Sequence, residues 1–520
     1  MSSDQNNLNQ PTTESSATVI IGAGPVGLLL AHELMKQGKK VILVEAGGET
    51  IQAFSTNEYA NVGHTLSGAS TGRMKGLGGT TNVWGGQLTE FIANDINETE
   101  IFDQPAWPIS WEEVSKYYAA VYKKLGFNNL WSGQTEKLTS SERAKYLEIF
   151  HTRWLKRPNF RSHFLQELMD SDLVTIHSNA TVTNLTFKGN KCCSLDITTQ
   201  GNKEHILNFG NVVLANGTIE ICRLLLIAAK SGNCPFKQNQ LLGKFFQDHI
   251  NLRVGQITNP SKSFFGRFSN IIRNGEKFQP KIRTNNKIPN DRYLGISGIF
   301  AFDSNVSHHI DNFKQFSKSL LGQSHQKTGF MEMLKMFVKI MGAIPQITLI
   351  IYNYVKNNRI YIPFNSKVSL TIQAQQISIA RSNISISETE FDNLGRPKAL
   401  VNWQIDGREF NEIRDFCLSV KEYLDNNGLG KLQFEKWFEN ECENSDGSWI
   451  KQIFDSYHQA GGTIMAQNSN TGVVDHNMKV YDTDNVYVCG ACAMPTSSYA
   501  NTSFTALTLS MRLSNYLSRR

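Results

Sequence analysis

Apolar and polar positions change texture twice along this chain. Near the start, Thr18-Val19-Ile20-Ile21 is a β-branched apolar run of the kind a buried parallel strand requires. A glycine-rich turn follows at Gly22 to Gly27, then a helical stretch from Leu28 to Gln37 that Gly38 stops, then a second strand pattern from Lys40 to Glu45. Short strand signals of the same kind recur at Leu173 to Ile176, Asn211 to Leu214 and Asn485 to Val488, and an amphipathic helix is expected over Thr505 to Leu517. Ser110-Trp111-Glu112-Glu113 has the form of a capping box and predicts one helix carrying Tyr117 and Tyr118. From about Gly255 to Gly447 the pattern differs. Polar and β-branched residues alternate in Val368 to Ile379 and Ala399 to Ile405, as in an antiparallel sheet.

The turn at Gly22-Ala23-Gly24-Pro25-Val26-Gly27 reads G-x-G-x-x-G between a strand and a helix, and Glu45 closes the next strand. Strand, turn, helix, strand and terminal acid in this order make a dinucleotide site. Gly22 permits the tight turn, Gly24 lets a pyrophosphate approach the backbone, and Gly27 lets helix pack on strand. The helix start offers free N–H groups to the phosphates. Glu45 is placed to accept ribose hydroxyls and opposes a 2′-phosphate. The segment Gly76 to Gly86 holds too much glycine for a helix or strand, and its Val83 and Trp84 do not suit a solvated linker. It reads as a loop pressed on a large flat ligand, with Gly79, Thr80, Thr81, Asn82 and Val83 beside it and Arg73 and Lys75 available to counter phosphate charge. Val182, in the strand signal beyond Asn179, completes the expected cofactor-contacting set. The expected fold is α/β, with a Rossmann-type dinucleotide-binding domain built from both chain ends and a substrate domain based on an antiparallel sheet. Residues 1–16 form a lead-in, 17–95, 165–255 and 450–520 the cofactor domain, and 96–164 and 256–449 the substrate domain with connecting helices.

Composition narrows this picture only a little. A length of 520 residues calls for two domains, or one with a large insertion, and 40% apolar with 19% charged residues suits a globular protein. The net charge of +6 is spread out, which excludes the concentrated basic stripe of a nucleic-acid binder. Met1 to Ser16 is polar, lacks the basic and apolar regions of a secretory signal, and reads as a disordered lead-in to a cytoplasmic protein. Eight cysteines make no disulfide framework in so long a chain, and Cys489-x-x-Cys492 has no second ligand pair and reads as packed thiols. Phe330 to Tyr354 is apolar and Met-rich, but Glu332, Lys335, Lys339 and Pro345 exclude a spanning helix of about 20 apolar residues. Two readings stay open for it, an amphipathic helix packed on the domain and a peripheral contact with a membrane surface.

With these segments in hand, the chain resembles the glucose–methanol–choline (GMC) oxidoreductase family, and at its C-terminal end the pyranose oxidases within it. The resemblance rests on Gly22 to Gly27 with Glu45, Gly78 to Thr81, Trp107 to Ser110, Val212 to Glu220, Gly243 to His249 and His458 to Leu517. From about Ile257 to Asp446 the match is loose. The resemblance implies FAD as cofactor and hydride transfer from a primary or secondary alcohol, with a sugar or polyol as the expected substrate. The family's motif H-x-x-G-T-x-R-M-G is met at His458, Gly461 and Met465, while Gly462, Ile464 and Ala466 depart from it. It implies His458 as general base and Asn501 as the second catalytic position; imidazole titrates nearest neutrality, and an amide N–H can stabilise a developing alkoxide. His249, beside Asp248, reads as structural. Where some members bear a His that links FAD covalently, this chain has Val83, which implies non-covalent FAD. The electron acceptor (oxygen, a quinone or a redox protein) stays open. So do two rival readings, a flavin-bearing lyase of the same fold and a non-catalytic FAD-binding or membrane-associated protein.

Overall fold

The computed structural model describes residues 16–96, 101–127, 135–138, 143–199, 201–303 and 344–520. Strand β1 (Thr18–Ile21), helix α1 (Pro25–Lys36) and strand β2 (Val41–Val44) form the expected unit. β1 lies at the centre of a five-stranded parallel sheet, flanked by Asn211–Leu214 and Val486–Val488 on one side and by β2 and Val174–His177 on the other. Its residues are buried on both faces, which is why they read as a continuous apolar run and not an alternating one. Leu28, Leu29, Leu30 and Leu34 of α1 are fully buried against this sheet's core, where truncating one leucine to alanine typically costs about 2–5 kcal/mol.

The last helix, Thr502–Leu517, packs along α1. It starts one turn before the expected Thr505 and is buried on most sides, more deeply than the one apolar face of the expected amphipathic helix requires. Small hydroxyl residues let it sit deep. Thr508 Oγ1 donates to the Phe504 carbonyl, Ser514 Oγ to that of Met511, and Ser510 Oγ to the Val26 carbonyl of α1 at 3.1 Å. The hydroxyls are satisfied within the backbone, so their burial leaves no orphaned donor.

A nine-stranded antiparallel sheet forms the second layer. Its main path runs Lys431–Phe434, Ile250–Thr258, Lys367–Ala374, Ile296–Asp303, Glu276–Thr284, Leu147–Trp154 and Gln87–Leu88. It therefore takes in Gln87–Leu88 and, in the strand Ile250–Thr258, residues 250–255, all of which the sequence reading placed with the cofactor part. The helix expected after Ser110 is two short ones, Trp111–Ser115 and Tyr118–Lys124. Ser110 Oγ accepts from the Glu113 N–H at 3.3 Å as expected, while the Glu113 carboxylate pairs with Arg512 of the last helix at 2.6 Å. Of the Met-rich stretch, residues 330–343 lie outside the described residues. Ile344–Asn357 is helical with Pro345 in its first turn, where a missing N–H is harmless, and Leu349, Tyr352, Tyr354 and Val355 are exposed on it. Among the described residues no helix is long and apolar enough to cross a membrane.

Candidate active site

Ligands of open α/β sheets bind beyond the carboxyl ends of the strands, where the strand order reverses. Here a cavity of about 480 Å³ opens at that point, next to β1. Gly22, Gly24, Glu45, Gly79, Thr80 and Val182 line it, together with Asn216, Thr502 and Ser503. A Cβ added at Gly24 would meet nothing within 4 Å, so this glycine borders open space; one at Gly27 would sit 1.9 Å from the Gly22 carbonyl oxygen. Gly24 thus leaves room for a ligand, and Gly27 lets helix meet turn.

Glu45 is buried and well occupied. Its Oε2 accepts from the Ala23 N–H at 2.8 Å, and its Oε1 from Gly47 and Gly76, each at 2.9 Å. A carboxylate has about four acceptor sites, so one stays open. Burial raises its pKa, and the three N–H groups work against that rise. The second glycine loop divides. Gly79 and Thr80 face the cavity, while Thr81 donates from Oγ1 to the Gly78 carbonyl at 2.6 Å and accepts from the Phe160 N–H at 3.1 Å. Asn82 donates to the Leu77 and Gly79 carbonyls, and Val83 is 49% exposed. Thr81, Asn82 and Val83 thus shape the loop from behind and do not line the cavity. Arg73 is paired with Glu220 and Lys75 with Glu58, although both line the cavity.

His458 and Asn501 meet. Asn501 caps the start of the last helix but makes no capping hydrogen bond; its Nδ2 donates to His458 Nε2 at 2.9 Å, and its Oδ1 accepts from Thr89 Oγ1 at 3.3 Å. His458 is turned inward by its neighbour. Tyr457 has φ +63°, rare for a bulky residue, and its ring fills the space left by Gly68 and Gly72, where a Cβ would fall 2.3 and 2.8 Å from Tyr457 Cδ1.

Three further groups surround His458 Nδ1. Ser456 Oγ lies at 3.0 Å, His249 Nδ1 at 3.1 Å and Gln373 Nε2 at 3.4 Å. The proton positions follow from partners that can play only one role. His249 Nε2 faces the Ser497 carbonyl at 3.3 Å and must donate, so its Nδ1 accepts, and Gln373 Nε2 donates to it at 2.6 Å. Ser456 gives its hydroxyl proton to Asp248 Oδ1 at 3.1 Å, so its oxygen accepts from His458 Nδ1–H. His458 Nε2 then carries the lone pair. Asp248 also accepts from the backbone N–H groups of His249, Ser456 and His458, which ties the histidine loop to the sheet. Burial, with Asp455 nearby, pushes Asp248 up to about 7. Burial holds His458 well below the usual imidazole range and His249 down to about 4, and the positive charge of Lys281 adds to both shifts.

Sequence reasoning missed Gln373, and it read His249 as structural; His249 lies against the His458 ring, with the two Nδ1 atoms 3.1 Å apart. Asp248-His249 stood inside a segment matching the family, which was signal enough; Gln373 is one polar residue in an alternating strand and carried none.

Family comparison resolves what this arrangement belongs to. Residues 17–232 match a family model described as FAD dependent oxidoreductase, and residues 378–510 match one described as GMC oxidoreductase. This chain is an FAD-dependent oxidoreductase of the GMC type. Over 98% of the GMC chain and 96% of the relative it is 21% identical to a 2-methyl-1,2-propanediol dehydrogenase of Mycolicibacterium austroafricanum. A shorter match, 26% identical over 22% of this chain and 28% of the relative, is to a fructose dehydrogenase large subunit of Gluconobacter japonicus. Its fold is similar to that of pyridoxine 4-oxidase from Mesorbium loti, with a TM-score of 0.60 at 14% identity, covering 97% of this chain and 99% of that one. An FAD-dependent oxidoreductase from Chaetomium thermophilum gives 0.57 at 14%, covering 96% and 99%. The cavity fits FAD on its own terms. Its lining runs from Glu45 past Gly24 and Gly79 to Thr502, and Asn216 Oδ1, buried on its wall, has no hydrogen-bond partner among the described residues.

Proposed function

We propose that this oxidoreductase converts the CH–OH group of an alcohol to a carbonyl, with His458 taking the hydroxyl proton on Nε2. The observation that carries the reading is the 2.9 Å approach of an acceptor nitrogen and an amide donor, His458 Nε2 and Asn501 Nδ2. An alcohol hydroxyl that displaces this hydrogen bond donates to Nε2 and accepts from Nδ2–H. As its proton leaves, Asn501 stabilises the negative charge on oxygen. His458 Nδ1–H stays on Ser456, which Asp248 holds, so the ring keeps one orientation and one tautomer. Burial keeps His458 neutral near pH 7, which is the state a base requires. FAD, when bound, supplies the hydride acceptor.

FAD is held non-covalently in this reading, because Val83 stands where the resemblance would put a linking His. Gly22, Gly24, Glu45, Gly79, Thr80, Val182 and Asn216 are the residues proposed to hold it. Two buried apolar clusters support a cofactor part and a substrate part. Trp107, Tyr118 and Phe160 pack in the first, however, and Tyr59, Leu66 and Ile219 in the second, so the two parts interleave more than the bounds 17–95, 165–255 and 450–520 against 96–164 and 256–449 would have them. The relatives named for fructose and for 2-methyl-1,2-propanediol support a polyol or sugar-like substrate. Anaerobic mixing with a panel of alcohols tests the reading. Bleaching of the flavin absorbance by at least one member is expected; a flavin that no alcohol bleaches contradicts it and favours the lyase alternative. Reoxidation of the bleached protein by air, quinones or a redox protein then identifies the acceptor class.

A further inference from the structure

Lys281 lies near the middle of the strand Glu276–Thr284 and is 3% exposed. Register fixes the face it occupies. Arg283 pairs with Ser297, and Ser297 pairs with Gln373, so these three share one side of the antiparallel sheet. Lys281, two residues from Arg283, points to that same side. It is the side of the active site, because Gln373 contacts His249 and His458, and Arg283 Nη1 donates to Tyr499 Oη at 2.6 Å, two residues before Asn501. The ammonium lies within electrostatic reach of both imidazoles, whose protonation it opposes.

Other buried cations of this chain have carboxylate partners: Arg73 with Glu220, Arg153 with Glu276, Arg223 with Asp392 and Arg283 with Glu148. Among the described residues, no carboxylate and no hydrogen-bond acceptor contacts Lys281. Burial lowers its pKa to about 8, so at neutral pH it still carries its charge. A buried charge without a partner is strongly unfavourable, and an anion that enters the site removes the penalty. We infer that the alcohol this site takes also bears a carboxylate, held by Lys281 while its hydroxyl lies between His458 and Asn501. One ammonium, a single point charge with three donors, balances a carboxylate, whereas a phosphate ester near neutral pH carries about −1.5 to −2 and would leave charge uncompensated.

This inference rests on the proposed role of His458, and the test keeps the two apart. The FAD-loaded wild type, Lys281→Met and Lys281→Arg are compared on two probes of one skeleton, glycerate and glycerol, and on malonate, which has no hydroxyl to oxidise. Wild-type protein is expected to bind malonate, read by calorimetry and by perturbation of the flavin absorbance, and to reduce its flavin at lower glycerate than glycerol concentration. Lys281→Met should weaken malonate binding and raise the glycerate KM by about 10- to 100-fold, the worth of a hydrogen bond to a charged group. Its FAD content and flavin midpoint potential should stay unchanged, its glycerol KM should move far less than its glycerate KM, and Lys281→Arg should keep part of the preference. The inference is overturned if the wild type ignores malonate while glycerol bleaches the flavin, an outcome that leaves His458 untouched. It is equally overturned if Lys281→Met shifts the midpoint potential and slows both alcohols alike, since the ammonium would then serve the flavin. Malonate that binds through Lys281 with no alcohol ever bleaching the flavin upholds the subsite and removes the His458 reading. Should Lys281→Met fail to fold, Lys281→Arg and wild-type malonate binding still decide.

Discussion

The parallel and antiparallel sheets meet at one site but contribute to it in different ways. On the parallel side the chain offers backbone. Glycines give way to the ligand, the start of α1 presents N–H groups, and Glu45 spends three of its acceptor sites holding the turns at Ala23, Gly47 and Gly76. On the antiparallel side it offers side chains from far apart in sequence, with Gln373, His249 and Lys281 gathered against a histidine from the C-terminal part. Substitutions on the first side should alter how the cofactor is held, and substitutions around the second should alter how the alcohol is held and how fast it reacts.

The largest effect is expected at the base. His458→Ala should slow anaerobic flavin reduction by about 10²–10⁴-fold with FAD content unchanged, measured by stopped-flow absorbance. Asn501→Ala should slow the same step by roughly 10², since the amide stabilises charge and moves no proton. Loss of FAD from either variant would break the contrast between the two sides.

Glu45→Ala should do the reverse. It leaves three backbone N–H groups without their acceptor, so FAD should dissociate more readily and unfolding free energy should fall by about 2–4 kcal/mol. Denaturant melts and ultrafiltration of the flavin read both effects, and an unchanged affinity for FAD would remove Glu45 from the ribose.

Asp248 gives a smaller, pH-dependent effect. Its pKa rises from 3.8 to about 7 on folding, so its stabilisation is full below 3.8 and is lost as pH rises through about 7. Asp248→Asn should therefore show a flatter stability profile between these limits than the wild type; parallel profiles would show that Asp248 does not titrate there. The least effect is expected at the helix Ile344–Asn357. If its exposed apolar residues meet a membrane surface, the protein should sediment with liposomes, and Leu349→Ser with Val355→Ser should release it. Wild-type protein that stays in the supernatant would remove the membrane contact.

The difference between the two sides also explains what could be read from sequence. The dinucleotide unit is local; its strands, turn, helix and acid lie within about 30 residues, and each obeys a rule of short range. Asn501 and His458 were legible because each lies in a loop resembling a family motif. Nothing local marks Gln373 or Lys281, whose neighbours are set by the register of Glu276–Thr284, Ile296–Asp303 and Lys367–Ala374. Thr81 misled for a related reason. A hydroxyl in a glycine-rich loop suits a phosphate, but here the nearer Gly78 carbonyl takes it. The last helix was legible as a helix but not in its depth of burial, because its hydroxyl residues bond within the backbone and let it pack against α1.

The pH dependence of the anaerobic flavin-reduction rate tests the central claim most directly. A base must be neutral to accept a proton, and burial with the nearby positive charge lowers the His458 pKa well below its ordinary value of 6.5. The rate should therefore hold steady as pH falls through 6.5 and decline only at lower pH, and the decline should vanish with the residual rate of His458→Ala. A wild-type rate that already falls at or above 6.5, or an acid limb that survives in His458→Ala, would contradict the assignment of His458 as the base.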